Sequence, residues 1–343
     1  MTTSREWHLT RRPHGVPVDE DFALVDVELH DPGDGEILVR NSFLSVDPYM
    51  RGRMNDAKSY VPAFRLDQPM DGEAVGVVEQ VGEAAVDSNG SAIAVGDRVI
   101  HRFGWRTTSL VPAKSARILD ISLAPEQAYL GVLGMPGLTA YVGLLRIGQF
   151  VEGERLFVSS AAGAVGSMVG QLARLKGASL VVGSAGGPEK TAWLLDEAGF
   201  DAAIDYKSED VRAALKEKCP DRINVYFDNV GGDILDSVLT RLARGARIAI
   251  CGAVSQYNNE GAVKGPANYM ALLVDRARMQ GFVVFDYADR YIEAALEMAG
   301  WMAAGTLKTK EDIVDGLETF PDTLLKLFKG ENLGKLIIKV ADE

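Results

Sequence analysis

Cysteine is scarce: the 343 residues hold two, Cys219 and Cys251. Two thiols cannot build a disulfide framework or a four-thiolate zinc site, so both are read as reduced thiols. Histidine is nearly as rare, and His8, His14, His30 and His101 are scattered along the first third of the chain. No metal-ligand spacing occurs, and no metal is expected. There is no Gly-x-Ser-x-Gly elbow, which leaves a Ser-His-Asp hydrolase without its nucleophile turn. No apolar run nears the ~20 residues of a spanning helix. The start, MTTSREWHLTRRPHG, lacks the apolar stretch of a signal peptide. A cytoplasmic protein with no membrane partner is expected. Basic charge is short as well: 36 Lys and Arg stand against 48 Asp and Glu, a net charge of −12. That excludes nucleic acid as the main partner, because backbone phosphates need a basic face. It leaves room for a small basic pocket around a phosphorylated cofactor.

What is present is ordinary for a globular chain: 47 % hydrophobic and 24 % charged residues. The length allows roughly two domains. Up to about residue 125 the chain reads as strands broken by turns. EILVRNSFLSV, GEAVGVVEQVG and AVGDRVIHRF carry glycines that imply bulges or bends in a small curled barrel. Residues 55–70 fit neither period and read as a long loop. Beyond Leu130 apolar runs alternate with helical patterns. Strands are expected at 155–161, 179–185, 202–206, 223–230, 246–253 and 279–286. Helices are expected near 164–176, 187–198, 208–218, 232–242 and 268–277. Continuous apolar strands with helices between them mean right-handed βαβ units and a parallel sheet covered on both faces. The end of the chain adds a helix, PDTLLKLFKG, and a strand, GKLIIKVADE.

SSAAGAVGSMVGQLARLKG, from Ser159, turns the first of those strands into its helix. Ala162, Gly163, Ala164, Val165 and Gly166 form the dinucleotide fingerprint, with alanine in place of the first glycine. Gly163 lets the backbone approach a pyrophosphate, Gly166 lets the helix pack on the strand, and the helix N-terminus attracts the anion. The alternative is a tight turn without a ligand. Some twenty residues on, NAD would need a carboxylate for its ribose hydroxyl. GSAGGPEK offers the small Gly186 and then Lys190, a point charge for a 2′-phosphate; Tyr206 can donate to the same group. The cofactor is expected to be NADP(H). An ordinary exposed lysine is the alternative for Lys190.

SVDPYMRGRM (45–54), LGMPGLTAYVGLL (133–145), SSAAGAVGSMVGQLARLKG (159–177), GSAGGPEK (183–190), YFDNVGG (226–232), CGAVSQYN (251–258), GFVVFDY (281–287) and ENLGKLIIKV (331–340) run in order along almost the whole chain. Together they resemble the zinc-independent medium-chain dehydrogenase/reductases. The branch is that of leukotriene B4 dehydrogenases, prostaglandin reductases and plant alkenal double-bond reductases, and within it the bacterial curcumin reductase type.

The resemblance implies an α/β fold: a doubly wound parallel Rossmann sheet inserted into a GroES-like β-barrel catalytic domain. Domains are expected at 1–127 and 128–303, with 304–343 returning to the first. It also implies NADPH-dependent reduction of the C=C bond of α,β-unsaturated ketones and aldehydes, and a homodimer paired through cofactor domains. Tyr257 matches the family tyrosine that supports the enolate together with the cofactor ribose hydroxyl; shaping the nicotinamide pocket is its alternative role. Met135 and Thr139 match positions near the nicotinamide, and Asn229 a ribose contact at the sheet edge. Cys251 follows the next strand at that edge. Phe282, Val283 and Val284 match a segment whose backbone meets the carboxamide, and Asn332 a position near nicotinamide and phosphate. Tyr49 and Arg51 are assigned to the substrate cleft, although arginine there also suits a structural ion pair. Two other readings stay open: a zinc-free NADPH quinone reductase, and a non-catalytic NADP-binding module.

Overall fold

A computed structural model describes residues 2–340; the last positions of the expected C-terminal strand, 341–343, lie outside them. The chain divides into two compact units. One runs to Leu130 and resumes at Glu311, and the other is Gly131–Lys310. Both divisions come a few residues later than the expected domain limits.

In the first unit the long strand Glu36–Ser45 organises a seven-stranded sheet. It pairs antiparallel with Ala74–Val81 on one side. Its other side is shared between Thr108–Pro112 and the C-terminal strand Lys335–Lys339. A strand with three partners makes the sheet curl, and register shifts at Leu38/Val39 and Asn41/Phe43 add bulges. Gly76 lies at this bend, where a Cβ would sit 2.3 Å from the Arg40 carbonyl oxygen; a side chain there would hold the strands apart. The helix Phe320–Lys329 ends on Gly330 at a φ of 62°. It buries Phe320 and Leu324 in one core with Met50, Trp105 and Leu336. The loop 55–70 contributes Phe64 and Met70 to that core and leaves Tyr60 exposed.

The second unit is a strand–helix alternation: β1 (Arg155–Val158), α1 (Ala164–Leu175), β2 (Leu180–Ala185), α2 (Pro188–Asp196), β3 (Ala202–Asp205), α3 (Val211–Lys218), β4 (Ile223–Asp228), α4 (Gly232–Leu239), β5 (Leu242–Ile250) and β6 (Arg278–Gly281). The strand order is β3-β2-β1-β4-β5-β6, and all neighbours run parallel. This is the dinucleotide-binding order, which reverses between β1 and β4. The central strands are apolar without alternation because helices cover both faces. Phe157, Val182 and Tyr226 meet Leu235, Val238 and Leu239 of α4 in one buried cluster. Asp210 caps α3 by accepting from the Ala213 N–H at 2.8 Å.

Several expected limits move. β1 stops at Val158 because the chain turns at Ser160, which takes a φ of 51°. β5 begins at Leu242, earlier than expected, and ends at Ile250. The helix expected over 268–277 is a single turn, Ala271–Val274. The strand expected over 279–286 is only Arg278–Gly281. It sits at the sheet edge, exposed along its length, and the chain then leaves the sheet so that Phe282 can stack edge-on against Phe227, with ring centres 6.3 Å apart.

Candidate functional site

The glycine turn joins β1 to α1. Gly163 is the residue before the helix, with φ −87° and ψ 175°, and no side chain caps it. The first N–H groups of α1, from Ala164 and Val165 on, therefore lack intrahelical partners and face the turn with the positive end of the helix dipole. Gly166 is the tightest point: a Cβ would lie 2.2 Å from the Ser160 carbonyl oxygen and 2.9 Å from the Ala161 Cα. Gly163 has more room, since a Cβ there would lie 3.2 Å from the Ser160 hydroxyl. Ala162 is buried beneath the turn. A turn of this kind, built by close approach of backbone to backbone at a helix start, could hold an anion.

The next strand ends, β2 and β3, form a second patch. A Cβ on Gly186 would meet the Tyr206 hydroxyl and the Lys207 Cε, each at 2.8 Å. Gly186, Tyr206 and Lys207 therefore converge, with Lys190 in the first turn of α2. Lys207 escaped sequence reasoning, because a lysine after a strand looks like any exposed lysine. Asp205, the last residue of β3, carries a carboxylate at this edge, and it is committed to the fold. Its Oδ1 accepts from the N–H of Gly187 at 2.8 Å and of Lys207 at 3.0 Å, and its Oδ2 accepts from the Ser208 hydroxyl at 2.8 Å. Those bonds, the Gly187 N–H first, hold its carboxyl below the usual carboxylate range.

A third group gathers where the strand order reverses. The Asn229 N–H donates to the Ser159 hydroxyl at 2.9 Å, and its side-chain Nδ2 donates to the Ser159 carbonyl at 2.8 Å. The N–H groups of Cys251 and Gly252 donate to the Asp228 carbonyl, and that of Val254 to the Asn229 carbonyl. The segment that leads to Tyr257 is thus laced onto the end of β4. The Tyr257 hydroxyl accepts from the Ala253 N–H at 3.3 Å, which leaves its own proton to give away. Burial raises the Tyr257 pKa above its ordinary value, so the phenol stays a neutral donor at working pH. Burial pushes the Cys251 thiol up to about 12 and the Cys219 thiol to about 11. Neither supplies a thiolate nucleophile near neutral pH.

The remaining expected residues are placed less evenly. Thr139 is buried and donates its hydroxyl to the Met135 carbonyl one helical turn back, at 2.7 Å. The Phe282 ring packs into the core of the second unit, 2.7 Å from where a Gly143 Cβ would be. Val283 and Val284 follow it into a short helical turn, Val284–Arg290. Asn332 belongs to the first unit, where its Nδ2 donates to the Gly334 carbonyl at 3.0 Å. Tyr49 opens the short helix Tyr49–Arg53. Burial, then the charges of Asp47 and Glu73, raises its pKa far above the ordinary tyrosine value.

Arg51, expected at the substrate cleft or in a structural pairing, makes structural hydrogen bonds. It is 2 % exposed, and its Nη1 and Nη2 donate to Asn55 Oδ1 and the Gly15 carbonyl, both at 2.7 Å. Its guanidinium ties loop to helix. Arg53 likewise pairs with Asp71 and stacks on Phe64, 4.1 Å from the ring centre. Sequence reasoning passed over Ser159 and Asp228 altogether. The available signal was an acid inside a strand-like run, INVYFDNV. Among the described residues no three His, Cys, Asp or Glu side chains converge to hold a metal ion, and no helix is long and apolar enough to cross a membrane.

A doubly wound sheet with a glycine turn at its switch point, inserted in the chain between the two parts of a curled β unit, defines a nucleotide-binding oxidoreductase of the medium-chain class. Family models described as the N-terminal domain of oxidoreductase and as zinc-binding dehydrogenase match residues 5–119 and 164–301. The chain belongs to the zinc-independent branch of the medium-chain dehydrogenase/reductases. It is 50 % identical over 346 residues, 100 % of this chain and 99 % of the relative, to YfmJ of Bacillus subtilis, which is named as an NADP-dependent oxidoreductase. It is 42 % identical to the NADPH-dependent curcumin reductase of Escherichia coli, covering 99 % of this chain and 98 % of that one. The crystal structure of CurA from Vibrio vulnificus in complex with NADPH superposes with a TM-score of 0.91 at 42 % identity, over 99 % of this chain and 100 % of that one.

Proposed function

We propose that this protein binds NADP(H) and reduces the carbon–carbon double bond of α,β-unsaturated ketones and aldehydes. The residues present fit the cofactor. The Gly163–Gly166 turn suits a pyrophosphate, and Gly186 with Lys190, Tyr206 and Lys207 suits a 2′-phosphate. Asp205, the acid that could favour an unphosphorylated ribose, is spent on Gly187, Lys207 and Ser208. When bound, the nicotinamide supplies hydride for the β-carbon of the substrate.

The chain's own task is to manage the charge that then grows on the carbonyl oxygen. A neutral donor, fixed in advance, is what that oxygen requires. Tyr257 is that donor. The observation that carries the reading is its hydroxyl, held by the Ala253 N–H at 3.3 Å with its proton uncommitted. Asn229 keeps its Oδ1 for a ribose hydroxyl while its Nδ2 is anchored on Ser159.

Two copies pair through the cofactor unit. The edge strand β6 is exposed throughout, with Leu273 and Val274 exposed just before it; an unpaired edge of this kind is a template for a partner strand. The unpaired Cys219 and Cys251 suit a reducing compartment such as the cytoplasm.

The test is cofactor oxidation with NADPH and NADH side by side, against an alkyl enone, an enal, a diarylheptanoid dienone and a quinone. Loss of NADPH with a saturated ketone as product supports the reading. Turnover of the quinone alone would move the assignment to a zinc-free quinone reductase. Tight NADPH binding without turnover of any substrate would leave a binding module.

A further inference from the structure

Asp228 ends β4 at the point where the strand order reverses, and it is fully buried. Its Oδ1 accepts from four donors at once: the Tyr226 hydroxyl at 2.6 Å, the Ser159 hydroxyl at 3.0 Å, and the N–H groups of Val230 and Gly231 at 2.9 Å each. Its Oδ2, equally buried, accepts from no group among the described residues. None of the described lysines, arginines or histidines forms an ion pair with it. A buried carboxylate without a countercharge is costly to a fold. A structural cap would need only the four donors, and an amide or a hydroxyl could accept some of those bonds.

The position says what the charge faces. In a doubly wound sheet the dinucleotide lies across the switch point, one half over each set of strands. Gly186, Lys190, Tyr206 and Lys207 mark the β2–β3 side as the place of the phosphorylated adenosine. The other half, the nicotinamide, then lies over β4 and β5, above Asp228, Asn229 and Cys251. Asp228 lies directly beside that layer, since the Cys251 and Gly252 N–H groups donate to its carbonyl at 2.8 Å and 3.1 Å.

We propose that Asp228 is a fixed negative charge beneath the nicotinamide end of the cofactor site, left without a countercharge so that the oxidised cofactor, whose ring is cationic, is bound in preference to the reduced one. Hydride departure makes the ring positive, so the same charge favours hydride donation. Asp228 acts here as a positioning residue for charge, through space.

The inference rests on the NADP(H) reading and not on the enone reading, and its test needs no substrate. In Asp228→Asn, Oδ1 keeps its four donors and the amide nitrogen takes the place of the partnerless Oδ2. The variant removes the charge while the hydrogen bonds stay. NADP+ and NADPH are titrated separately against the wild-type protein and the variant, with melting temperature recorded beside them. The expected result is a Kd for NADP+ raised on the order of tenfold in the variant, with the Kd for NADPH within about twofold of wild type. Tyr226→Phe, which deletes a donor and keeps the charge, leaves the ratio of the two Kd values unchanged. Equal shifts for both cofactor forms, or none, would overturn the proposal and reduce Asp228 to a loop anchor. If Asp228→Asn does not fold, the wild-type protein still decides. NADP+ must bind no more weakly than NADPH, and a several-fold weaker NADP+ overturns the inference. Binding of neither form would overturn the cofactor reading and this inference with it.

Discussion

Replacing Gly166 by alanine places a methyl carbon 2.2 Å from the Ser160 carbonyl oxygen and 2.9 Å from the Ala161 Cα. Both obstacles are backbone, so no side chain can swing away. A normal carbon–oxygen contact needs about 3.3 Å or more, which means that α1 must withdraw from the end of β1 by about 1 Å. Overpacking of this kind costs ~1–3 kcal/mol, or a melting temperature lower by ~2–4 °C for each kcal/mol in a domain of this size. The larger effect is on the anion cradle, because the N–H groups of Ala164 and Val165 move with the helix. Loss of a single charge-assisted hydrogen bond, worth ~1.5–3 kcal/mol, raises the Kd for NADPH at least tenfold. Quenching of protein fluorescence on NADPH titration measures the Kd, and calorimetry measures the melting temperature. Gly300→Ala is the control: it lies in the helix Tyr291–Ala303 of the same unit with nothing within 4 Å of its Cβ position, and alanine there leaves stability equal or higher. A Gly166→Ala protein with wild-type NADPH affinity would refute the claim that backbone contact sets the cradle.

Three further outcomes are expected. Tyr257→Phe lowers kcat for an enone by ~10²–10³-fold with the NADPH Kd unchanged, as stopped-flow and binding titration together can tell; a kcat within threefold would remove Tyr257 from the chemistry. Lys190→Ala combined with Lys207→Ala weakens NADPH on the order of a hundredfold and leaves NADH untouched, and equal losses for both cofactors would show that the patch does not meet the 2′-phosphate. His101 sets a pH limit on stability. Burial lowers its pKa to about 3, while its Nε2 faces Asn41 Oδ1 at 3.0 Å and its Nδ1 accepts from the Phe103 N–H at 3.1 Å. The unfolded chain takes up that proton near ~6.5. Stability is therefore complete above that pH and falls as pH drops toward 3, by up to ~1.4 kcal/mol per pH unit. Glu73, raised to about 7 by burial and by Asp47, works in the opposite direction: its stabilisation is present below the unfolded carboxyl pKa and is lost as pH rises through 7. The readout is consequently the difference in denaturant midpoint between wild type and His101→Gln from pH 7 to 5, and a flat difference would sink the assignment.

The β1–α1 turn was legible because its chemistry is local. Gly163 and Gly166 stand at fixed offsets from one strand and one helix, and a backbone approach of that kind needs glycine wherever the chain goes next. The parallel sheet was legible for a related reason: strands covered on both faces lose their polar alternation. Limits were misjudged where local pattern met tertiary demand. Ser160 turns at a left-handed φ that its residue type does not announce. The apolar run after Met279 leaves the sheet because Phe282 finds a better place against Phe227 than at an exposed edge.

Arg51 shows the limit in the other direction. An arginine beside a tyrosine reads as a ligand, but whether its five donors face a substrate or the Gly15 carbonyl depends on a residue thirty-six positions away. Asp228 is the same lesson inverted. Its four donors come from Ser159 just after β1, from β4 and from the turn after β4, and nothing in INVYFDNV states that one oxygen would take them all and the other none. What the sequence determined alone was the repeating βαβ frame, the glycine cradle and the cofactor's class, since periodicity and glycine spacing act over a few residues. Which side chains are free to meet a ligand was decided only by tertiary structure, because a polar group's hydrogen bonds are claimed by whichever partners folding brings within about 3 Å.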